Sequence, residues 1–350
     1  MTQSGRREED ARSSKKKVPE VIKKIEKLME DETAGDPMRD LKWTRRSTER
    51  VANELASIGI RVSKTTVGRL LKKLDFSLKS NAKKISNGGK SMTTEQQKRR
   101  DTHFRFINRV RALYERHGAP MISVDTKKKE LIGNFKNAGT RMRRIADLAN
   151  DHDYRTYALG QAAPYGILDP VLNKGFVCVG KFMKEGKIIT SSDTPDFAVD
   201  SIARWWQEIG SKDYSKQGAL LILADAGGSN GSSPHMWKVG LQQKICNRFG
   251  LRVTVLHYPA GASKWNPIER RLFCPISKNW QGTPLRTFET VLKYIRTTTT
   301  KTGLKVRAVL VSKKYPKGVK ATKEDLKKLN IKRVKANPRW GYTISPHRKE

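Results

Sequence analysis

Three acidic residues occupy positions from which their side chains could do chemistry together. Asp125 follows an apolar run at residues 121–124, and Asp225 follows another at residues 219–224. Both runs are typical of central strands, and the carboxyl ends of such strands are where open α/β sheets keep their sites. Two carboxylates held close together need a cation, and hard Mg²⁺ or Mn²⁺ prefers carboxylate oxygen. Glu269, on a predicted helix at residues 265–278, is the expected third ligand.

A site of this kind predicts phosphoryl transfer assisted by two metal ions. The ions would lie roughly 4 Å apart, one activating the attacking oxygen and the other stabilising the leaving oxygen. The alternative is that Asp125 and Asp225 are ordinary turn or capping residues at strand ends. Residues 227–233 form a glycine-rich segment that lacks the Gly-Lys-Ser/Thr ending of a phosphate-binding loop, so no nucleotide cofactor is expected.

The composition indicates the kind of partner. The chain has 350 residues, with 72 Lys+Arg against 34 Asp+Glu, and a formal net charge of +38. Such an excess predicts a polyanionic partner, most simply nucleic acid, with an anionic membrane surface as the competing interpretation. The longest apolar run, residues 219–224, is far shorter than the ~20 residues that span a bilayer. Residues 1–12 are polar and charged, so the apolar segment of a secretory signal is not expected there. No membrane partner is predicted.

The cysteines and two histidines are expected to be structural. Cys178, Cys246 and Cys274 are isolated in the sequence, which predicts small buried thiols in a reducing compartment and no disulfide framework or zinc site. His152 and His257 are expected to be hydrogen-bonded structural residues, and Asp153 is the reserve candidate for a further acid.

Two short helical patterns near the N-terminus predict a helix-turn-helix. Ser47 or Thr48 can cap the first helix, Gly59 suits the turn, and Ser63 can cap the second. The apolar positions predicted for this pair are Val51, Leu55, Ile58, Val67, Leu70, Leu71 and Leu74. The second helix would be the recognition helix and would present Lys64, Thr65, Thr66, Arg69 and Lys72 to phosphates or base edges. The alternative is a helix hairpin that only packs and has a solvated basic face.

The rest of the chain predicts an α/β class with a mixed sheet, because strands alternate with helices beyond residue 118. Strands are predicted at residues 121–124, 130–135, 175–182, 219–224, 251–256 and 306–311, with 130–135 pairing with 121–124. Helices are predicted at 93–117, 197–209, 234–249 and 265–278. Trp205 and Trp206 are expected in the core, whereas Trp265 and Trp280 either pack there or stack on unpaired bases.

The expected domain organisation follows from these patterns. A basic flexible tail covers residues 1–17, the helix-turn-helix region 18–80, a linker and helix 81–117, the catalytic domain 118–300, and a basic extension 301–350.

Several segments together resemble the ISAzo13-type insertion-sequence transposases, a family within the DDE transposases. The segment Asn266-Pro267-Ile268-Glu269 looks like the motif that opens the helix bearing the third acid in DDE enzymes. Further matching segments run almost the length of the chain, at residues 35–38, 41–44, 124–135, 152–154, 164–166, 193–198, 205–206, 224–231, 257–271 and 297–304.

The resemblance implies an RNase H-like catalytic core with an N-terminal all-α DNA-binding region. It assigns Asp125, Asp225 and Glu269 as the catalytic, metal-binding triad for two Mg²⁺ or Mn²⁺ ions. The implied activity is transposition: binding of the element's terminal repeats, metal-dependent phosphodiester hydrolysis, and strand transfer into target DNA. Further DNA contacts are expected from Lys127, Lys128, Lys264 and Arg270, with a solvated basic turn as the alternative for the lysines that follow Asp125.

The same resemblance implies a homo-oligomer on DNA and a cytoplasmic, nucleoid-associated prokaryotic protein. Two alternatives stay open at this point. One is a DNA-binding regulator whose catalytic core is inactive, and the other is a related DDE nuclease that cuts without strand transfer.

Overall fold

The computed structural model describes residues 19–26, 34–35, 42–43, 47–74, 93–180, 182–184, 187–189, 193–231, 233–259, 262, 265–335, 338 and 340–348. The chain divides into two compact units, Met1–Lys84 and Ile85–Glu350. The predicted tail at 1–17, the linker at 81–92 and Lys264 lie outside the described residues.

In the described residues of the first unit there are three helices, α1 at residues 19–26, α2 at Thr48–Ser57 and α3 at Lys64–Lys73. The predicted capping residues are confirmed, because the Ser47 side chain accepts a hydrogen bond from the Arg50 N–H and that of Ser63 from the Thr66 N–H. Gly59, in the turn between α2 and α3, has a φ of 84°, which glycine adopts without strain. The two-residue strands Ala34–Gly35 and Lys42–Trp43 pair antiparallel.

The three helices share one small apolar core. Its buried members are Val21, Ile25, Val51, Ala52, Leu55, Val67 and Leu70. Ile58 was expected in this core but is 51% exposed. It is the C-cap residue of α2, where the backbone leaves the helix and the apolar stripe no longer faces α3.

The second unit begins with helix α4 (Thr94–Arg116) and is built on an eight-stranded mixed sheet. The strands are β1 (Met121–Thr126), β2 (Tyr165–Asp169), β3 (Lys174–Gly180), β4 (Ala219–Asp225), β5 (Arg252–Tyr258), β6 (Lys305–Val311), β7 (Ile331–Arg333) and β8 (Gly341–Ile344). Their spatial order is β6-β3-β2-β1-β4-β5-β8-β7. The predicted α/β class is therefore confirmed.

The five central strands define the core of the sheet. β2 runs antiparallel to both β1 and β3, whereas β1, β4 and β5 are mutually parallel. This order and these directions are those of the RNase H-like core that the family resemblance implies.

Helices cover both faces of the sheet. α5 (Pro195–Trp205, continued by wide turns through Asp213) and α6 (His235–Leu241, continued through Asn247) pack on one face. The other face holds α4, α7 (Glu269–Phe273 and Cys274–Trp280) and α8 (Phe288–Arg296). A short helix, α9 (Lys323–Lys327), precedes β7. None of the helices in the described ranges has the length and apolar character needed to cross a bilayer.

The prediction that residues 121–124 and 130–135 pair as a hairpin is wrong. The strand Glu130–Ile132 pairs with Gly160–Ala162 in a separate small sheet, and the antiparallel neighbour of β1 is β2, which the sequence analysis did not predict. Beyond β1 the Lys127 N–H donates to the Pro164 carbonyl, which extends the pairing with β2 by one residue. Since β4 pairs with the other side of β1, neither side is open to residues 130–135. A further small hairpin joins Phe182–Lys184 to Lys187–Ile189.

Two other expectations differ from the structure. Residues 301–350 contribute β6, β7 and β8 to the main sheet, where only one strand and a basic extension were expected. β7 and β8 are only three and four residues long, too short to show a strand alternation, and they are stabilised because β8 pairs with both β5 and β7. Cys178 and Cys246 are buried as expected, but Cys274 is exposed.

Candidate active site

The register of the sheet brings the two aspartates to the same place. β1 and β4 are parallel neighbours with Val124 beside Ala224, so the residues that follow, Asp125 and Asp225, lie side by side at the carboxyl ends of their strands. Val124 and Ala224 face the α5 side of the sheet. Because side chains alternate along a strand, both aspartates face the opposite side, where α4 and α7 pack.

Glu269 reaches this edge because α7 lies very close to β2. A Cβ placed on Gly166 would stand 2.5 Å from a ring carbon of Phe273 and 3.0 Å from Ile268 Cδ1. Gly166 is the residue paired with Asp125 across β1 and β2. The absence of a side chain there lets the first turn of α7, with Glu269, lie against the strands that carry the aspartates.

The surroundings of Asp125 oppose its ionisation. The pKa of Asp125 is raised to about 8: burial is the largest cause, the carboxyls of Asp225, Glu269 and Asp193 act in the same direction, and a hydrogen bond from the Thr126 N–H opposes them. The charges of Asp225 and Glu269 act on Asp125, so the three predicted acids lie in the same region at this edge of the sheet.

The other two acids share this environment. Burial raises the pKa of Asp225, and the Asn266 side chain, which donates to Asp225 Oδ1 at 3.1 Å, lowers it. Burial and then the charge of Asp225 raise the pKa of Glu269, whereas the nearby Lys127 ammonium lowers it. The charge of Asp225 therefore affects the ionisation of both Asp125 and Glu269.

The donor chemistry fits hard divalent cations, because all three groups are carboxyls. Among the described residues, however, no three His, Cys, Asp or Glu side chains are already gathered closely enough to hold a metal ion. Asp125, Asp225 and Glu269 thus have the right type and location, and ion binding would require their side chains to draw together.

A fourth acid beside the site was not predicted. Asp193 accepts a hydrogen bond of 2.9 Å from Thr126 Oγ1 and is near enough to raise the pKa of Asp125. Asp153, the reserve candidate, is instead exposed in an irregular segment. Asp193 directly precedes Thr194, the N-cap of α5, so in the sequence it resembles an ordinary residue at a helix start.

The predicted DNA-contacting residues near the acids have different surroundings. Lys127 is only 6% exposed, its Nζ donates to Glu130 at 2.7 Å, and it lies 4.6 Å from the centre of the Trp280 ring. That placement does not support a phosphate contact by Lys127. Lys128 and Arg270 are exposed, and Lys264 is not described.

The predicted recognition helix presents its polar residues to solvent. Lys64, Thr65, Arg69 and Lys72 are exposed on α3, and the half-buried Thr66 is bonded to the Ser63 cap. The basic face lies opposite the residues Val67 and Leu70 that enter the core.

The tryptophans and histidines considered in the sequence are divided between the core and the surface. Trp205, Trp206 and Trp280 are buried, whereas Trp265 is 55% exposed and its ring stands edge-on to Phe104. His257 is buried with its Nε2 3.0 Å from the Asn230 carbonyl, in agreement with a structural role. His152 is exposed beside Asp151.

The family comparison is extensive along the chain. A sequence model of the family described as Rhodopirellula transposase DDE domain matches residues 24–346. No curated protein sequence matches the chain significantly.

The chain is similar to solved structures that include Mos1 complexes. The Mos1 transposase paired-end complex with left transposon end and the Mos1 Strand Transfer Complex are each 13% identical, with TM-scores of 0.42 over 71% of this chain. The mariner Mos1 paired end complex with Mg is 13% identical, with a TM-score of 0.40. The matches cover 65%, 64% and 65% of those chains, respectively.

Proposed function

The chain belongs to this transposase DDE family, and from that premise we propose that it is the transposase of an insertion sequence that cuts DNA at the element's ends and joins them to a target. The observation that carries the proposal is the meeting of Asp125, Asp225 and Glu269 at one edge of the sheet in a chain of net charge +38. The acids supply ligands for cations, and the basic surface attracts a polyanion.

The protein's part in the chemistry is to hold and to orient. Asp125, Asp225 and Glu269 would hold two divalent ions, Mg²⁺ or Mn²⁺. When bound, these ions would neutralise charge on the phosphate and make the attacking oxygen more nucleophilic. Lys128 and Arg270 are exposed and close in sequence to the first and third acids, and they would contact the DNA backbone and align the scissile phosphate.

DNA-end recognition is assigned to α3. Its exposed Lys64, Thr65, Arg69 and Lys72 are suited to contact phosphates and base edges, while its apolar face stabilises the three-helix unit. An insertion sequence has two ends, and one active site acting at each end would make the assembly on DNA a homo-oligomer.

The decisive experiment uses Asp225→Asn with a DNA fragment that carries the element's terminus. This change keeps the size of the side chain but removes a charge from the site, so nicking in Mg²⁺ should fall by about a hundredfold or more. Affinity for the fragment should stay within about twofold of wild type, since α3 is untouched. Full nicking by the variant would contradict the role of Asp225.

The same assay separates the two alternatives. Wild-type protein that binds the fragment but never cuts it would be a DNA-binding regulator. Protein that cuts without giving joined products would be a nuclease without strand transfer. Cut and joined strands together are the expected result.

A further inference from the structure

We propose that Asn266 is a positioning residue that, together with Ser123, holds the Glu269 helix in register with the two aspartate strands. The inference rests on the proposed function, because it concerns the carboxylates assigned there to metal binding. Neither residue is an expected metal ligand, and neither was singled out for this role from the sequence.

Asn266 joins three elements at once. Its side chain is fully buried, and its amide nitrogen donates to Asp225 Oδ1 at 3.1 Å, at the end of β4. The same nitrogen lies 3.4 Å from the Val124 carbonyl in β1. Its oxygen accepts a hydrogen bond from Ser123 Oγ, also in β1. One amide therefore bridges the strands of both aspartates from a position three residues before Glu269.

Ser123 completes the connection from the strand side. It is fully buried and lies two residues before Asp125, on the same face of β1. Besides donating to Asn266, its hydroxyl accepts a 3.1 Å hydrogen bond from the Ile268 N–H. Residues 267–268 form a helical lead-in to α7, so this N–H belongs to the first turn and has no acceptor within the helix. Ser123 thus fixes the N-terminal end of α7 at the level of Asp125.

The chemistry of the pair explains why these residue types are needed. The amide of Asn266 provides a donor for Asp225 and an acceptor for Ser123, whereas an aspartate would provide only acceptors and would repel Asp225. The Ser123 hydroxyl donates once and accepts once. Groups that orient metal-binding carboxylates in this way commonly change metal affinity by about 10–100-fold when removed.

Direct binding of Mn²⁺ to the full-length protein, measured by electron paramagnetic resonance, tests the inference without relying on activity. For Asn266→Ala and for Ser123→Ala, the Mn²⁺ concentration at half saturation should rise by about tenfold or more. The double variant should be little worse than the more affected single variant, because the two residues act as one unit. The Mg²⁺ concentration for half-maximal nicking should rise in parallel.

Gln242→Ala is the matched control. Gln242 is also a buried amide with backbone partners, accepting from the Asn330 N–H and donating to the Ser345 carbonyl, but it lies in α6 on the other face of the sheet. Its loss should lower thermal stability without changing Mn²⁺ affinity. If Asn266→Ala does not fold, Ser123→Ala, which removes a single oxygen atom, gives the answer.

The outcomes separate the inference from the proposed function. Wild-type protein that neither binds Mn²⁺ nor nicks DNA would contradict the proposed function. Wild-type protein that does both, with Ser123→Ala and Asn266→Ala binding Mn²⁺ as tightly as Gln242→Ala, would overturn the positioning role alone.

Discussion

At the residue scale, burial and mutual repulsion make ionisation of the site's carboxyls unfavourable. Asp125 is buried beside three other acids, so its ionised form is disfavoured until a counter-charge is present. The Lys127 ammonium, which lowers the pKa of Glu269, is bonded to Glu130. Divalent cations would bring a counter-charge to these carboxyls.

This electrostatic penalty predicts how the stability of the metal-free protein depends on pH. The pKa of Asp125 is about 8 in the folded state against 3.8 ordinarily, so between these values the folded state retains a proton that the unfolded state has released. Stability then falls as pH rises through this window. From about pH 7 to about pH 8.5 the melting temperature in a chelator should fall, and added Mg²⁺ should restore it.

Asp125→Asn supplies the control for that prediction. Its uncharged amide cannot titrate, so the variant's melting temperature should vary less over the same pH range and should respond less to Mg²⁺. Parallel curves for the wild type and the variant, followed by differential scanning fluorimetry, would show that Asp125 does not cause the dependence.

At the scale of elements, the site depends on how closely α7 can approach the sheet. Two strand glycines make room for it, because a Cβ at Gly166 would collide with Phe273 and one at Gly175 would lie 2.6 Å from Leu272 Cδ1. Leu272 and Phe273, the two side chains concerned, follow Glu269 by three and four residues in α7. The position of Glu269 is therefore set by packing as well as by the Ser123 and Asn266 contacts.

Gly166→Ala should disturb this approach. The added methyl group must displace Phe273 and Ile268, both buried, which should cost about 1–3 kcal/mol of folding free energy and slow nicking because Glu269 moves with the helix. Urea denaturation and the nicking assay measure the two effects.

Gly218→Ala provides the comparison, because a Cβ there meets no atom within 4 Å. Its stability should stay within about 0.5 kcal/mol of wild type, with normal nicking. Equal behaviour of the two alanine variants would argue against a tight approach of α7 at Gly166.

At the scale of the whole molecule, the charge of +38 predicts DNA binding that weakens steeply with salt. The logarithm of the affinity falls linearly with the logarithm of the salt concentration, and each lost phosphate contact should make this slope shallower by about 0.9. Replacing Lys64, Arg69 and Lys72 of α3 by alanine should therefore make the slope shallower by about two to three in a fluorescence anisotropy titration.

A charge-matched variant distinguishes contacts from general attraction. Lys323, Lys327 and Lys328, in and after α9, are also exposed, and their replacement by alanine removes the same net charge. This variant should keep nearly the wild-type slope and its preference for the terminal fragment. The proposed role of α3 fails if the two triple variants behave alike.

Much of the site was predictable from local features of the sequence. The serine caps of α2 and α3 and the apolar runs that end in Asp125 and Asp225 depend on residues adjacent in the chain. Helix capping and strand-forming apolar runs are local effects, so the class of fold and the three acids could be predicted without knowledge of distant contacts.

The tertiary structure decided what depends on residues far apart in the sequence. It paired β1 with β2 instead of residues 130–135, placed Asp193 and not Asp153 beside Asp125, and buried Lys127 against Glu130 and Trp280. The sequence by itself determined which residues could form helices, strands and a carboxylate site. Only the folded chain decided which neighbours they meet, because strand pairing and burial arise from long-range packing that no local pattern specifies.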